Sequence, residues 1–213
     1  MLRELRRISF MKCLPISLAC LAAGICVFLP PVYHWKRGQL ELTDVSMCVV
    51  GAVIICAAAF LVIGSLSGGF QKALRQYCRQ GDNRARVEQF YRNTAPVHGV
   101  RVNEDYVLAA GVRTNFLLAD NLLWAYTNVM EASVRGTKRL VTVRFMPKDG
   151  KAENYLVKDE VQATEILAYV EKILPWVFVG NSERMQRMYQ SDRQSMIRAV
   201  EERKAKNESV IHL

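Results

Sequence analysis

Residues 45–66 read VSMCVVGAVIICAAAFLVIGSL and contain no charged side chain. A helix of this length reaches roughly 33 Å at about 1.5 Å per residue, and the hydrocarbon core of a bilayer is about 30 Å thick. A second uncharged run, CLPISLACLAAGICVFL, occupies residues 13–29. It becomes long enough to span if Ile8, Phe10 and Met11 join it while Lys12 extends its amine towards the headgroups. The two runs predict a transmembrane hairpin within residues 1–69, with helices over about residues 8–29 and 45–66.

The N-terminal run also has a second interpretation. Arg3, Arg6, Arg7 and Lys12 precede it as the basic region of a secretory signal precedes its apolar region. A small-x-small cleavage site is poorly placed, however, and the position three residues before Cys20 is Ser17 instead of the leucine that a lipoprotein signal requires. Because a second apolar run follows after 15 residues, a helical hairpin is the simpler interpretation.

Basic residues are concentrated beside the apolar runs. Residues 1–12 carry four basic and one acidic side chain, residues 30–44 carry two of each, and residues 67–101 carry seven and two. This asymmetry is typical of cytoplasmic flanks, so we expect a two-pass protein of the cytoplasmic membrane with both termini in the cytoplasm. The lipid bilayer is thus one partner. Residues 102–213 carry sixteen basic and fifteen acidic side chains, and this near-neutral domain disfavours nucleic acid as a partner.

Residues 70–95 form a basic juxtamembrane segment. Apolar residues recur there at helical spacing and predict two short amphipathic helices, separated at Gly81-Asp82-Asn83. Their apolar faces would either pack on the soluble domain or contact the membrane surface. The basic residues that would contact anionic lipid are Lys72, Arg75, Arg79, Arg84 and Arg86.

Residues 96–175 predict an antiparallel β-domain closed by one helix, because apolar residues recur with a period of two from Pro96 to Val157. Asp159 is the expected N-cap of that helix, with Gln162 three residues later. Its apolar stripe would cover one open side of the sheet: Ala163, Ile166, Leu167, Val170, Ile173 and Leu174. The predicted strands are Val97–Val102, Tyr106–Ala110, Asn115–Ala119, Leu122–Thr127, Met130–Val134, Arg139–Met146 and Glu153–Val157.

Residues 176–213 predict a C-terminal helix and a charged tail. The helix opens at Asn181 or Ser182 and is interrupted at Asp192. Its apolar residues would either pack against the domain or offer an adaptable surface to a partner: Met185, Met188, Tyr189 and Met196.

Two transmembrane helices followed by such strands and a capping helix resemble small bacterial two-pass membrane proteins of unassigned function that carry a cytosolic pleckstrin-homology-like domain. Leu156-Val157-Lys158-Asp159-Glu160 is similar to the passage from strand to capping helix in such domains, and residues 173–183, ILPWVFVGNSE, resemble a stretch that follows this helix. The resemblance covers about residues 97–205. It implies an α+β fold with a PH-like β-barrel or sandwich, and a binding module without catalytic residues to carry over. The nearest counterparts of the basic lipid-binding loop of eukaryotic members are Arg135, Lys138 and Arg139.

Residue types used in catalysis and metal binding are scattered along the chain. His34, His98 and His212 are far apart, and Cys78 is the one cysteine outside the membrane segments and their edges. No cysteine or histidine pair of the soluble part has zinc spacing. We therefore expect no catalytic residue, no metal and no cofactor.

Gly64 and Gly68 have the small-xxx-small spacing of helix contacts in membranes, within the hairpin or between copies in a homo-oligomer. Taken together, the sequence predicts a membrane-tethered, non-enzymatic scaffold that recruits a protein partner at the cytoplasmic face. The alternative is a sensor of anionic lipid headgroups that uses the basic juxtamembrane residues and the basic residues around the β-hairpin at Arg135, Lys138 and Arg139. An enzyme with an unfamiliar site is the least favoured class.

Overall fold

The computed structural model describes residues 1–36, 42–67, 71–111, 113–133 and 137–211. The chain divides into two compact units, Met1–Lys72 and Ala73–Leu213. Three residues singled out above, Gly68, Arg135 and His212, lie outside the described residues.

The first unit consists of two apolar helices, α1 (Leu2–Lys36) and α2 (Leu42–Ser67). Within them, Leu2–His34 and Leu42–Gly64 have mean hydropathies of 2.2 and 2.8 and are long enough to cross a bilayer, which supports membrane association. α1 continues through Pro30-Pro31, where the sequence analysis expected it to stop. Membrane helices tolerate proline because neighbouring helices, hydroxyl side chains or local adjustments of the helix satisfy the carbonyl groups that proline leaves without a donor.

The two helices run antiparallel and approach each other closely at Gly24 and Gly51. A Cβ atom on Gly24 would lie 2.7 Å from Ile55 Cγ1, and one on Gly51 would lie 3.1 Å from the Gly24 carbonyl oxygen. Because neither glycine has a side chain, the two helix backbones come into contact there. Near the end of α1, His34 Nδ1 lies 3.0 Å from Asp44 Oδ1 at the start of α2.

After the hairpin, the chain forms two short helices, a run of strands and three further helices. In order, the elements are α3 (Lys72–Tyr77), α4 (Asn83–Asn93), β1 (Val100–Val102), β2 (Tyr106–Ala110), β3 (Thr114–Leu118), a 3-10 turn (Ala119–Asn121), β4 (Leu122–Ser133), β5 (Thr137–Pro147), β6 (Glu153–Val157), α5 (Glu160–Ile173), β7 (Phe178–Val179), α6 (Glu183–Ser191) and α7 (Arg193–Ile211).

The strands form two sheets. The first sheet is antiparallel with the order β1-β2-β3, and the second has the order β6-β5-β4-β7, in which the short β7 runs parallel to β4. The predicted α+β class is confirmed. The described strands leave both sheets open and do not close into a barrel, so the predicted PH-like barrel is not confirmed.

β4 is one strand of 12 residues, whereas the sequence analysis predicted two strands separated at Asn128-Val129. That prediction of a break is wrong. Asn128 pairs with Thr142 of β5, whose Oγ1 donates a hydrogen bond of 3.2 Å to the Asn128 carbonyl oxygen. Continuous pairing with β5 satisfies the backbone groups and overrides the local preference of asparagine for turns.

α5 covers the inner face of the second sheet. The Asp159 carboxylate accepts a hydrogen bond of 2.9 Å from the Gln162 backbone N–H, so the predicted cap is confirmed. The apolar stripe of α5 is buried in one cluster with the inward-facing residues of β5, which are Val141, Val143 and Phe145. Each fully buried side chain of this size contributes about 1.5–3 kcal/mol, so this cluster is the core of the domain.

The predicted C-terminal helix is divided into α6 and α7. Ser182 Oγ accepts a hydrogen bond of 3.2 Å from the Met185 N–H and caps α6. Asp192 follows α6, and its Oδ1 accepts a hydrogen bond of 3.2 Å from the Ser195 N–H at the start of α7. Because aspartate is more favourable at a cap than inside a helix, the expected interruption at Asp192 is a helix boundary.

Candidate functional site

The juxtamembrane helices α3 and α4 pack on the β1-β2-β3 sheet through aromatic rings. The Tyr77 ring centroid lies 6.0 Å from that of Tyr106 and 5.2 Å from that of Phe116, and Phe90 lies 5.4 Å from Tyr106. Burial, together with the hydrogen bond to Tyr77, raises the pKa of Tyr106 to about 12. Of the two expectations for these helices, the structure supports packing on the soluble domain.

The basic residues predicted to contact lipid lie on the other side of these helices. Lys72, Arg79, Arg84 and Arg86 are exposed, and Arg75 is half-buried. Because the apolar side of α3 and α4 faces the sheet, any attraction of these residues to a membrane would be electrostatic.

The methionine-rich stripe of the last helices faces the domain. Met196 and Tyr189 are buried, and Met185 and Met188 are half-buried against the same core. The Tyr189 hydroxyl donates a hydrogen bond of 2.7 Å to the Pro147 carbonyl oxygen, and burial raises the pKa of this phenol. The structure therefore supports packing of the stripe, and a partner would reach only the outer parts of Met185 and Met188.

Gly64 is half-buried near the end of α2. Since Gly68 lies outside the described residues, the helix contact through this pair stays a prediction. The close approach at Gly24 and Gly51 was not predicted from the sequence. Both glycines stand inside the apolar runs, but spacing along one helix does not tell which residue of the other helix it meets.

A cleft of about 380 Å³ opens on the outer face of the second sheet, beside α6. Its aromatic part contains Trp124 stacked on Tyr126, with the ring centroids 4.1 Å apart. Trp124 Nε1 donates a hydrogen bond of 2.7 Å to the Gly180 carbonyl oxygen, which fixes the indole ring. Tyr189 of α6 and Met146 of β5 complete this part of the lining.

The polar lining consists of three amides and one guanidinium, those of Asn128, Gln186, Gln190 and Arg144. Arg144 Nε donates a hydrogen bond of 2.7 Å to Asn154 Oδ1, and Nη1 donates one of 3.2 Å to the Tyr126 hydroxyl. Both acceptors are neutral, and Arg144 forms no ion pair with any residue that the structure describes. The cleft therefore presents an oriented positive charge.

An exposed apolar rim, formed by Met130, Leu140 and Leu156, adjoins the cleft. Met130 pairs with Leu140 across β4 and β5, and Leu156 of β6 pairs with Thr142. Because alternate residues of a strand share a face, these positions lie on the same sheet face as Arg144. The exposed fractions of the three side chains are 49%, 43% and 56%. Polar and apolar binding groups thus stand side by side.

The groups that line the cleft are able to bind a ligand. The aromatic rings are almost fully buried and pack on one another, whereas the amides can donate and accept hydrogen bonds and the guanidinium can bind a carboxylate or phosphate. The residues that line the cleft include no carboxylate, cysteine or histidine. Within the described ranges, no group of three or more histidine, cysteine, aspartate or glutamate side chains is placed to hold a metal ion.

The cleft was not predicted from the sequence. Its signal lies in the alternation of β4, which places Trp124, Tyr126 and Asn128 on one face, and in that of β5, which places Arg144 beside Met146. On this face Trp124, Tyr126 and Met146 are buried, whereas Asn128 and Arg144 are half-buried. The signal was hidden because the predicted break in β4 obscured the register between the two strands.

Fold and cleft together define a class of protein, in which two helices able to cross a membrane precede an α+β domain with an aromatic and cationic cleft. The chain belongs to the family described as Domain of unknown function (DUF6709), whose model matches residues 68–189. That range contains both sheets, α5 and every cleft residue except Gln190. Neither the curated proteins nor the solved structures include a match to the chain.

Proposed function

We propose that this chain is a membrane-tethered, non-enzymatic module that recruits a protein partner at the cytoplasmic face, with both termini in the cytoplasm. The observation that carries the proposal is the apolar rim beside the Arg144 cleft. A group of exposed apolar side chains next to a few oriented polar groups is typical of a contact surface for protein. The basic flanks of the two apolar helices support the orientation.

The order of the elements supports a PH-like domain in an open form. Three antiparallel strands precede three more, and α5 then covers the second sheet as a capping helix. In this arrangement α5 covers the inner face of the second sheet. On the outer face Trp124, Tyr126 and Met146 are buried, so the exposed part of that face is the rim of Met130, Leu140 and Leu156.

A photo-reactive residue introduced at Leu140 tests the proposal in the full chain, in its native membrane. We expect a discrete covalent adduct with a protein. A probe at Val161, which is 67% exposed on α5, is the matched control and should give none. Leu156→Glu should abolish the Leu140 adduct because it places a charge in the rim. Equal adducts from both probe positions, or an adduct that survives Leu156→Glu, would contradict recruitment through this face.

Sensing of anionic lipid is the second candidate function. It is favoured by the exposure of Lys72, Arg79, Arg84 and Arg86, which lie on α3, α4 and the turn between them. Each basic side chain held near an anionic surface contributes about 1 kcal/mol. The same residues would also orient the recruiting face relative to the membrane if both functions operate.

A further inference from the structure

The Arg144 guanidinium is held in the cleft by neutral groups alone, the Asn154 amide and the Tyr126 hydroxyl. A guanidinium carries five N–H donors, so three of them have no partner among the described residues. The two acceptors fix the plane of the group without neutralising it. A guanidinium that is fixed in orientation and keeps its charge is preorganised to bind a planar anion through its remaining N–H donors.

The rest of the cleft favours a carboxylate over a phosphate. One guanidinium matches one carboxylate in bidentate geometry, whereas a phosphate carries nearly two charges and is typically bound by a cluster of cations. Asn128, Gln186 and Gln190 are neutral and supply amide donors and acceptors of the kind that a peptide group requires. A volume of about 380 Å³ accommodates the end of a chain and excludes a folded element.

The sheet face indicates how such a chain would lie. Leu140 and Arg144 are four residues apart on the same face of β5, a separation of about 13 Å in an extended strand. Thr142 between them is buried, and its hydroxyl already donates a hydrogen bond to the Asn128 carbonyl oxygen. At the opposite end α6 packs across the sheet, where the Tyr189 ring centroid lies 6.2 Å from that of Trp124. A chain running from the rim towards Arg144 therefore meets α6.

We infer that the cleft binds the free C-terminal carboxylate of an extended segment of the recruited protein, an inference that rests on the proposed function. The carboxylate pairs with Arg144, and an apolar side chain about four residues upstream packs on the rim at Leu140 and Leu156. A chain terminus fits better than an internal acidic residue because α6 stops the path beyond the cleft.

An array of random heptapeptides, each synthesised with a free C-terminal carboxylate and again as a carboxamide, tests this inference. The full chain in lipid nanodiscs is the probe protein. We expect it to select free-acid peptides with an apolar residue near the fourth position from the end, and to bind them at least about tenfold more tightly than their amides. Arg144→Gln should abolish this preference. Arg144→Lys should retain part of it, since lysine keeps the positive charge but lacks the planar pair of N–H donors.

Arg139→Gln is the matched control. Arg139 lies on β5 but on the other face, and its Nε donates a hydrogen bond of 3.2 Å to Glu131 Oε1. This variant should bind as the wild type does. Equal binding of acids and amides, or unchanged selection by Arg144→Gln, would overturn the inference. Preference for amidated peptides with an internal aspartate would overturn the choice of a chain terminus. A Leu140 adduct without selection of any peptide would overturn the inference while the proposed recruitment still stands.

Discussion

The Tyr155 hydroxyl donates a hydrogen bond of 2.7 Å to the His98 carbonyl oxygen. This bond joins β6 of the second sheet to the residues that precede β1 of the first. Gly99 follows His98, and a Cβ atom added there would lie 2.6 Å from the Tyr155 hydroxyl oxygen. The glycine is therefore required both by its φ of +85° and by the close approach of the tyrosine.

We predict that Gly99→Ala lowers the melting temperature more than Gly81→Ala does. Gly81 also has a positive φ, of +51°, but a Cβ atom there meets nothing within 4 Å. The left-handed conformation costs alanine about 1 kcal/mol at either site, and only Gly99 adds a clash with Tyr155. Thermal unfolding followed by circular dichroism measures the difference. Tyr155→Phe in the Gly99→Ala background should recover part of the loss, and equal effects of the two glycine variants would contradict this account.

The stripe of α5 gives a second prediction. Leu167→Asp places a charge among buried apolar side chains and should destabilise the domain by several kcal/mol. Val161→Asp on the same helix is the control, because Val161 is exposed and a carboxylate in the first turn is favourable. Melting temperatures of the two variants provide the test. If Leu167→Asp melted within about 2 °C of the wild type, the stripe would not be part of the core.

Local chemistry made α5 and its cap predictable from the sequence, because Asp159, Gln162 and an apolar stripe with the period of a helix all specify the same helix. The two apolar helices were predictable for a similar reason, since length and composition decide them. The continuity of β4 was not, because Asn128 favours a turn locally and only its pairing with Thr142 makes it a strand residue. The cleft depends on that pairing and on the position of α6, so it required the tertiary structure.

Glu153 gives a prediction about pH. Burial raises the pKa of this carboxyl group, although Arg113 opposes the shift. Because the folded-state pKa is raised, the contribution of the protonated Glu153 carboxyl group to the free energy of unfolding is present below the unfolded-state pKa of about 4.3. It is lost as the pH rises through the folded-state pKa. Glu153→Gln should therefore raise the melting temperature at pH 7, and the gain should disappear below about pH 4. The exposed Glu104→Gln should change little at either pH, and a gain from Glu153→Gln that persists in acid would exclude this origin.

The orientation of the hairpin can be tested with introduced cysteines. Cys78 is a poor reporter because it is buried, and burial raises the pKa of its thiol and lowers its reactivity. Gln80 is exposed close to it and is the better position. An impermeant maleimide should label Gln39→Cys in intact cells, whereas Gln80→Cys should be labelled only after lysis. The charge asymmetry of the flanks predicts this result. The opposite labelling pattern would show that the termini lie on the other side of the membrane.

Binding to anionic lipid is best tested by removing charge, because α3 and α4 bury residues such as Leu74 and Phe90 and cannot be deleted without exposing the core. A fragment starting at Gln71 should cosediment with phosphatidylserine vesicles at low salt and detach as salt rises. The attraction fades beyond a Debye length of about 8 Å at physiological ionic strength, so only basic residues close to the surface contribute. Replacing four exposed basic residues by glutamine should abolish binding: Lys72, Arg79, Arg84 and Arg86.

The matched control removes the same charge elsewhere, through glutamine at four other exposed basic positions: Lys151, Lys158, Arg187 and Arg198. This variant should keep most of the binding, because the geometry of the juxtamembrane helices and not the net charge brings the cations to the lipid. Equal loss in the two variants would indicate diffuse attraction without a defined lipid-facing surface. Binding that resists salt in both would instead place a specific lipid site within the β-domain, since contacts in a desolvated pocket are screened far less than exposed charges.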